Sequence, residues 1–411
     1  MVKSESSIPK IRFKEFTDEW ESKTFKSILK EIKRPLKMKD NETYQLITVK
    51  RRNEGIVSRG LFKGKDVLVK SQFEVKAGDY IISKRQVVHG ANGILPPELD
   101  GSIVSNEYLV ARGSEDLDID YFSIISHLPY MYQKFFLSSY GIDIEKLFFD
   151  VNDWKRRTIN IPTLSEQNRI KIFFQKIDQV IKLQQKALEN ARDYKTSMLQ
   201  RMFPQKGAKV PQLRFSGFSG DWEETKLGKV AKIYRGLTYK PENIVKDSMG
   251  IRVLRSSNIN EDVLALYPGD VFVSSNVVKL ENIQQGDILI TAANGSSRLV
   301  GKHAVITQEL ANTVHGGFML TARAKVPFFL NSWMSTTEYK FMLRLVQGGN
   351  GAIGNLSKPT LEKCKIHVPT IEEQQKIGEF FQKLDQQIER HIKKLNNYQS
   401  FKKAMLQRLF V

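Results

Sequence analysis

The sequence predicts an α+β protein in which two mixed α/β domains are joined by two long antiparallel coiled-coil helices, arranged as a pseudo-two-fold internal repeat. Two observations lead to this prediction. A segment that begins PTLSEQ at Pro162 returns as PTIEEQ at Pro369, at a constant offset of 207 residues, and both copies share the blocks FFQK and MLQR in register. The regions that precede the two copies carry short strand patterns. The shared register indicates a duplication within the chain.

Each copy starts with a helix-capping pattern. Thr163 is followed three residues later by Glu166, and Thr370 by Glu373, so both fit a capping box in which the Glu reaches back to the cap. Residues at alternating steps of three and four then predict a heptad seam. This seam consists of Ile170, Phe173, Ile177, Val180, Gln184, Ala187, Ala191, Tyr194 and Met198 in the first copy, and of Ile377, Phe380, Leu384, His391, Tyr398, Phe401 and Met405 in the second.

The length of these helices predicts that they pack on each other. About 40 helical residues at ~1.5 Å each make a rod of roughly 60 Å, which cannot bury its apolar stripe alone. If the two halves are related by a pseudo-two-fold axis, the rods run antiparallel. Gln184 and His391 would then mark the register of the pair. An ordinary helical hairpin inside one core is the alternative, but it does not account for the non-helical region between the two helices.

The composition indicates a folded, basic protein. The 411 residues are enough for two or three domains, with apolar and charged contents of 41% and 27% that are usual for folded soluble proteins. No apolar stretch of signal-peptide or membrane-spanning type is present, and Cys364 is the single cysteine. We therefore expect a cytoplasmic protein with no disulfide and no membrane partner. The net charge of +19 favours nucleic acid as the partner.

The duplication extends upstream of the helices. Residues 9–20 begin PKIRF and residues 211–222 begin PQLRF, each with a further Phe and a Trp, which predicts a lead-in segment that docks on its own half. The chain therefore divides into four predicted parts. These are a first α/β domain over 1–161, a first spacer helix over 162–205, a second α/β domain over 206–368 and a second spacer helix over 369–411.

The two α/β domains share a pattern but diverge in detail. Strands predicted at Tyr44–Val49 and Ile251–Leu254 each run into a polar, basic turn, and Gly-Asp pairs at 78–79 and 286–287 each precede a buried strand. Helical stretches are expected at Tyr121–Leu137 and Phe329–Val346. The offset between the copies drifts from 202 to 208 within these domains. Divergence concentrated here, between constant flanks, is typical of a variable recognition region on a fixed frame.

The sequence lacks the motifs of several enzyme classes. It contains no P-loop, no Gly-x-Ser-x-Gly elbow, no His/Cys metal cluster and no Asn/Asp-Pro-Pro-Tyr motif of amino-methyltransferases. Residues 347–354 match the letters of GxGxxG outside a strand-turn-helix unit, which favours a flexible loop near a ligand surface over a dinucleotide site. A nuclease pattern built on Asp66, Glu74 and Lys76 arises readily by chance. We predict no catalytic residue, metal or cofactor in this chain.

Candidate binding residues lie in loops at strand ends, in the part that differs between the copies. Arg and Lys can pair with guanine edges, Asn with adenine, and the cations with phosphate. Taken alone, each of these residues could equally well be a solvated surface group that contacts no DNA. The candidates are Lys50, Arg51, Arg52, Asn53, Lys84, Arg85 and Asn92 in the first half, and Arg252, Arg255, Asn258, Asn294, Arg298 and Lys302 in the second.

Essentially the whole chain resembles the specificity (S) subunit of a Type I restriction-modification system. The resemblance rests on IPTLSEQ at 161–167, VPTIEEQ at 368–374, the paired Gly-Asp strands and the repeated MLQR endings. It implies that each variable region is a target recognition domain for one half of an asymmetric, bipartite double-stranded DNA target, with the helices as spacer. It also implies two methyltransferase (M) subunits, which carry S-adenosylmethionine and modify adenine, and restriction (R) subunits as partners.

Two other functions stay open at this point. A self-contained DNA nuclease or methyltransferase with an unrecognised site would show activity in the isolated chain. A coiled-coil scaffold whose charge serves only solubility would make interactions that DNA does not affect.

Overall fold

The computed structural model describes residues 8–70, 72–205, 207–246, 250–260, 262–347 and 355–410, without the side chains of 345–347. The described residues form two compact units: the first lies within Met1–Leu183 and Leu395–Val411, and the second within Gln184–Lys394. Each unit therefore contains one α/β domain and a part of each long helix. Most of the Gly-rich stretch discussed above, residues 348–354, lies outside the described residues.

The first unit alternates short strands and helices before the first long helix. Its helices are α1 (Phe25–Ile28), α2 (Ile119–Ile125), α3 (Pro129–Leu137), α4 (Val151–Arg156) and the start of α5 (Leu164–Met202). Its strands are β1 (Glu21–Thr24), β2 (Leu29–Glu31), β3 (Pro35–Leu36), β4 (Thr43–Val49), β5 (Ile56–Lys63), β6 (Gln72–Glu74), β7 (Tyr80–Ser83), β8 (Asn92–Ile94), β9 (Ile103–Ser105), β10 (Tyr108–Gly113), β11 (Ser139–Tyr140), β12 (Phe148–Phe149) and β13 (Thr158–Ile161).

The second unit follows a similar order of elements. Its helices are α6 (Leu227–Val230), α7 (Pro327–Met334), α8 (Thr337–Gln347), α9 (Lys358–Lys363) and most of α10 (Ile371–Arg408). Its strands are β14 (Glu223–Lys226), β15 (Ala231–Arg235), β16 (Ile244–Val245), β17 (Ile251–Leu254), β18 (Ile259–Asn260), β19 (Val263–Leu264), β20 (Val271–Val273), β21 (Ile288–Thr291), β22 (His303–Val305), β23 (Thr313–His315), β24 (Met319–Ala324) and β25 (Lys365–Val368).

Two sheets form the body of each unit. Their strand orders are β2-β10-β7-β8 and β3-β6-β9-β4-β5 in the first unit, and β15-β24-β21-β22 and β16-β20-β17-β23 in the second. The pairs β4·β9 and β17·β23 are parallel, in contrast to the antiparallel pairs around them. In both units the chain passes from one sheet to the other at equivalent places, from β9 to β10 and from β23 to β24. The predicted strands after the Gly-Asp turns, β7 and β21, are buried along their whole length.

A two-stranded ribbon closes each domain in the same way. β1 pairs antiparallel with β13, so that Glu21 lies opposite Ile161, and β14 pairs with β25, so that Glu223 lies opposite Val368. The chain therefore enters and leaves each domain side by side, directly before the long helix. This equivalence confirms the internal repeat that the sequence predicted.

The helical stretches expected at 121–137 and 329–346 are each divided in two. In the first, α2 ends at Ile125 and α3 starts with Pro129 in its first turn, where the missing amide hydrogen of proline costs nothing. In the second, α7 ends at Met334 and α8 starts at Thr337. Both stretches are helical as expected apart from this break, which short apolar runs in the sequence do not reveal.

The long helices were predicted correctly, and the seam in part, since Ile170, Ile177 and Met198 in the first copy and Ile377 and Leu384 in the second are buried as predicted. Phe174 and Leu188 are buried in the first copy, whereas the predicted positions Val180 and Tyr194 are exposed. In the second copy Phe381 is buried beside the half-buried Phe380. Apolar residues stand next to each other at several of these positions, so two phases of a three-four pattern fit the sequence, and packing selects between them.

Equivalent side-chain pairs join the two helices within each unit. In the second unit Gln184 hydrogen-bonds His391, and Lys195 Nζ lies 2.5 Å from Asp385 Oδ1. In the first unit Lys402 Nζ lies 2.5 Å from Asp178 Oδ1. The two ion pairs correspond under the offset of 207, and residue numbers run in opposite directions along the contact. The helices therefore pack antiparallel within each unit, as predicted.

Candidate nucleic-acid interface

The repeated Glu-Gln motif at the start of each long helix is part of the frame. The Arg12 guanidinium donates two hydrogen bonds of 2.8 Å to the carboxylate of Glu166, and Arg214 donates two of 2.7 Å to that of Glu373. Both glutamates are almost fully buried. The bidentate geometry fixes each lead-in segment on the helix that follows its own domain.

The predicted capping box is therefore only half correct. The Thr163 hydroxyl accepts a hydrogen bond from the Glu166 amide at 3.4 Å, and Thr370 accepts one from Glu373 at the same distance. The glutamate side chains, however, bind arginines 154 and 159 residues away in the chain. A buried carboxylate gains more from a guanidinium than from one amide, because only the guanidinium compensates its charge.

The two Gly-Asp turns are held in the same manner. Asp79 accepts hydrogen bonds from Arg34 at 2.6 and 3.1 Å and from Arg112 at 2.7 Å, and Asp287 accepts two from Arg323. Burial by itself would raise the pKa of Asp79, but the hydrogen bonds from Arg34, the Lys76 amide and Arg112 outweigh it and lower that pKa. The strands that carry the candidate loops are thus firmly anchored.

The first candidate loop follows β4 and is exposed. Lys50, Arg51, Arg52 and Asn53 all have exposed side chains. Arg52 and Asn53 have left-handed backbones with φ of 59° and 57°, and their amides donate to the carbonyl oxygens of His89 and Gly90. These bonds hold the turn against the loop that follows β7. A left-handed Arg is uncommon and costs on the order of 1 kcal/mol or more, so the turn is constrained rather than free.

A cavity of about 420 Å³ lies beside this turn. Arg51 makes an ion pair of 3.1 Å with Glu145 at the cavity, and His89 contacts the same carboxylate at 3.8 Å. Both Arg51 and Glu145 are about half exposed. Such a pair contributes little to stability, so Arg51 can exchange Glu145 for a phosphate or a base edge at low cost.

The other candidates of the first unit make contacts within the protein. Lys84 Nζ donates to the Asn106 carbonyl at 2.6 Å, and burial lowers the pKa of Lys84. Arg85 donates to Glu107 at 2.8 Å and stacks over the ring of Phe148. Asn92 is buried and accepts a hydrogen bond from the Tyr80 hydroxyl. The candidates of this unit that share one exposed loop are therefore Lys50, Arg51, Arg52 and Asn53.

Three candidates of the second unit also support the fold. Arg252 pairs with Asp270 at 3.4 Å and lies over the Phe272 ring. Asn258 is buried, with its amide nitrogen donating to Asp270 at 2.7 Å and to the Ala265 carbonyl at 2.9 Å. Lys302 Nζ donates to the Ile259 carbonyl at 2.7 Å. These contacts order the loops around β17.

The remaining candidates, Arg255, Asn294 and Arg298, lie in the loops after β17 and β21. Arg255 and Arg298 are exposed. Asn294 donates to the Ser256 hydroxyl at 3.0 Å and accepts from the Ser296 amide at 3.0 Å. Arg255 and Asn294 line one cavity of about 660 Å³. The structure therefore brings together two side chains that lie 39 positions apart in the sequence.

Residues absent from the sequence-based prediction complete this cavity. Phe318 and Tyr239 form part of its lining, and Phe318 is 74% exposed. Next to Phe318, burial lowers the pKa of His315 to about 4, opposed by a hydrogen bond to the Tyr234 backbone. The segment His315-Gly-Gly-Phe318 was the available signal, since two glycines before an aromatic residue mark a tight, exposed turn.

The described part of the chain shows neither a metal-binding cluster nor a membrane-spanning helix. No group of three or more His, Cys, Asp or Glu side chains there could hold a metal ion. None of its helices is both long and apolar enough to cross a membrane.

Comparison with known proteins shows what this chain is similar to. Residues 219–397 match the family model for the Type I restriction modification DNA specificity domain. A putative Type I restriction enzyme MjaX specificity subunit from Methanocaldococcus jannaschii is 25% identical over 261 residues, which cover 61% of this chain and 58% of the relative. The Type I restriction enzyme EcoKI specificity subunit of Escherichia coli strain K12 is 27% identical over 167 residues, covering 38% and 35%.

A solved structure agrees over nearly the whole chain. The S subunit of a Type I restriction-modification system from M. genitalium superposes with a TM-score of 0.61, at 13% identity, over 98% of this chain and 99% of that one. This likeness supports the predicted α+β fold. The matched segments span less than two thirds of the two curated relatives. Residues 219–397, less than half of the chain, are thus similar to the Type I restriction modification DNA specificity domain.

Proposed function

We propose that this chain is the DNA-binding specificity subunit of a Type I restriction-modification complex. Each unit reads one half-site of an asymmetric, bipartite double-stranded target, and the two long helices set the spacer between the half-sites. The chain itself is non-catalytic and binds no cofactor. It acts in the cytoplasm with two methyltransferase subunits, which bind S-adenosylmethionine and methylate adenine, and with restriction subunits.

One observation carries this proposal: equivalent frames hold different loops. The clamps at Glu166 and Glu373 and the anchors at Asp79 and Asp287 recur in both units. The loops attached to them differ, with exposed cations at 50–52 in the first unit and at Arg255 and Arg298 in the second. A constant frame with different donor sets is suited to reading two different sequences in the same manner.

The electrostatics support DNA as the ligand. A net charge of +19 is suited to long-range attraction of a polyanion. Arg51 and Arg255 each lie at the edge of a cavity and have the fork geometry that pairs with guanine O6 and N7. The shared name of the relatives, subunits of a restriction enzyme, supports catalytic partners rather than catalysis by this chain.

Methylation mapping tests the proposal directly. A host expressing this chain with its cognate methyltransferase subunits should carry modified adenines only within one bipartite, asymmetric sequence. Affinity of the purified complex for that sequence should fall steeply with salt concentration. The absence of any bipartite preference, together with salt-independent binding, would overturn the proposal.

The alternative of a self-contained enzyme is tested with the isolated polypeptide. DNA cleavage, or transfer of a labelled methyl group from S-adenosylmethionine, by this chain alone would support that alternative. We expect neither activity until the methyltransferase subunits are added.

A further inference from the structure

Phe318 is an exposed aromatic residue that lines the same cavity as Arg255 and Asn294 in the second unit. It closes the tip formed by Gly316, Gly317 and Phe318 between β23 and β24, and 74% of its surface is exposed. The neighbouring residues Val314 and Met319 are buried. The ring is thus open to a ligand that enters the cavity it lines.

The backbone of this tip is held in place. The Phe318 carbonyl oxygen accepts hydrogen bonds from the amides of Ala292 at 2.9 Å and Ala293 at 3.1 Å, and the Gly316 amide donates to Leu254 at 2.9 Å. Gly316 also lies so close to Gly236 that a Cβ on Gly236 would come within 2.0 Å of its carbonyl oxygen. The ring is therefore presented by a rigid support, which reduces the entropy lost on binding.

The chemistry around the ring is polar and cationic on one side. Phe318 lines the 660 Å³ cavity together with Arg255, Ser256 and Asn294. Arg and Asn are donors suited to base edges in the major groove, where the thymine 5-methyl group is the one apolar feature displayed. A phenyl ring set among such donors is matched to that methyl group.

The first unit has a different side chain at the equivalent position. Tyr108 pairs with Ser83 in the first unit, as Met319 pairs with Thr291 in the second, and Ser83 and Thr291 correspond in the repeat. The residue equivalent to Phe318 is therefore Glu107, which accepts a hydrogen bond from Arg85. The same point of the two frames is apolar in one unit and acidic in the other, as expected of a residue that distinguishes half-sites.

We propose that Phe318 is a specificity-determining residue that contacts the 5-methyl group of a thymine in the half-site bound by the second unit. This inference rests on the proposed function and adds the kind of base that one side chain reads. It predicts that the second half-site contains a thymine. Recognition of the first half-site should not depend on Phe318.

The test uses the full chain in complex with its methyltransferase subunits and duplexes in which single thymines are replaced by deoxyuridine, which removes only the methyl group. At one thymine of the second half-site, the replacement should weaken binding about fourfold, equivalent to about 0.8 kcal/mol for one buried methyl group. The Phe318→Ala variant should bind the thymine duplex and the deoxyuridine duplex with equal affinity. The Phe318→Leu variant should keep part of the preference for thymine. Replacements in the first half-site should affect wild type and both variants equally.

Three outcomes would overturn the proposal. The first is a second half-site without thymine. The second is a thymine preference that stays unchanged in Phe318→Ala, whether or not the overall affinity of that variant falls. The third is a wild-type complex that binds thymine and deoxyuridine duplexes equally at every thymine of the second half-site. Leu68, which is 97% exposed in the first unit, supplies a matched control: Leu68→Ala should retain the wild-type preference. Failure of the proposed function would look different, since then no bipartite sequence would be preferred by any variant.

Discussion

The ion pair between Arg214 and Glu373 should be a main determinant of the stability of the second unit. Glu373 is fully buried, and Arg214 is 14% exposed and also donates to the Gly220 carbonyl at 2.6 Å. The hydrogen bonds to Glu373 raise the pKa of Arg214. Replacing Glu373 with Gln keeps the shape of the side chain but leaves the guanidinium without its counter-charge.

The expected cost follows from this geometry. Two charges about 4 Å apart attract by about 4 kcal/mol at an effective dielectric constant of 20, and breaking a buried pair costs about 3–5 kcal/mol. Water reaches the exposed edge of Arg214 and recovers part of this energy. We therefore expect Glu373→Gln to lower the free energy of unfolding of the second unit by about 2–3 kcal/mol.

Urea unfolding followed by tryptophan fluorescence measures this change. Trp222 and Trp333 report on the second unit, and Trp20 and Trp154 on the first, so Trp→Phe backgrounds separate the two signals. The matched control is Glu166→Gln, which breaks the pair with Arg12 and should act on the first unit's signal. In an Arg214→Met background, Glu373→Gln should lose most of its effect. An equal loss with and without Arg214 would refute the ion-pair explanation.

Three further predictions concern the recognition surface, the spacer and pH. Arg51→Ala and Arg255→Ala should each relax specificity at one half-site only, by about 1–3 kcal/mol for a residue that contacts a base. Binding to duplexes with single base substitutions measures this change. Equal losses of affinity at both half-sites would indicate misfolding. One heptad inserted at equivalent points of α5 and α10 adds about 10 Å and should lengthen the recognised spacer by about three base pairs without changing the bases read, as seen by methylation mapping. The folded pKa of His315 is about 4, below its usual 6.5, so the unfolded state binds more protons between these values. Stability should fall as pH drops from 6.5 to 4, by at most about 3 kcal/mol, and His315→Gln should flatten this part of the unfolding profile; an unchanged slope would contradict the assignment.

The frame could be predicted from the sequence because its signals are local and occur twice. The helix at Leu164–Met202 and its copy follow from a capping threonine and a long heptad pattern, and β7 and β21 follow from Gly-Asp turns before apolar runs. Repetition excludes chance at these positions. The polar seam residues Gln184 and His391 could be paired for the same reason, and they do meet in the second unit.

The candidate site was predicted only in part. Sequence patterns indicated the loops after β4 and β17 as candidates. A basic or amide residue in such a loop has the same pattern whether it faces solvent or supports the fold. Asn258 is engaged by Asp270, and Asn92 by Tyr80. Phe318 was missed because an isolated aromatic residue is more often buried than exposed.

The sequence by itself determined the class of this protein: two α/β units, two long helices and loops rich in cations, since periodicity, capping and charge are properties of the chain alone. Tertiary structure decided which of these side chains stay exposed and which support the fold. Glu166 accepts hydrogen bonds from Arg12, which lies 154 positions away in the sequence. Arg255, Asn294 and Phe318 line one cavity. Burial and choice of partner depend on residues distant in the chain, and no local pattern contains that information.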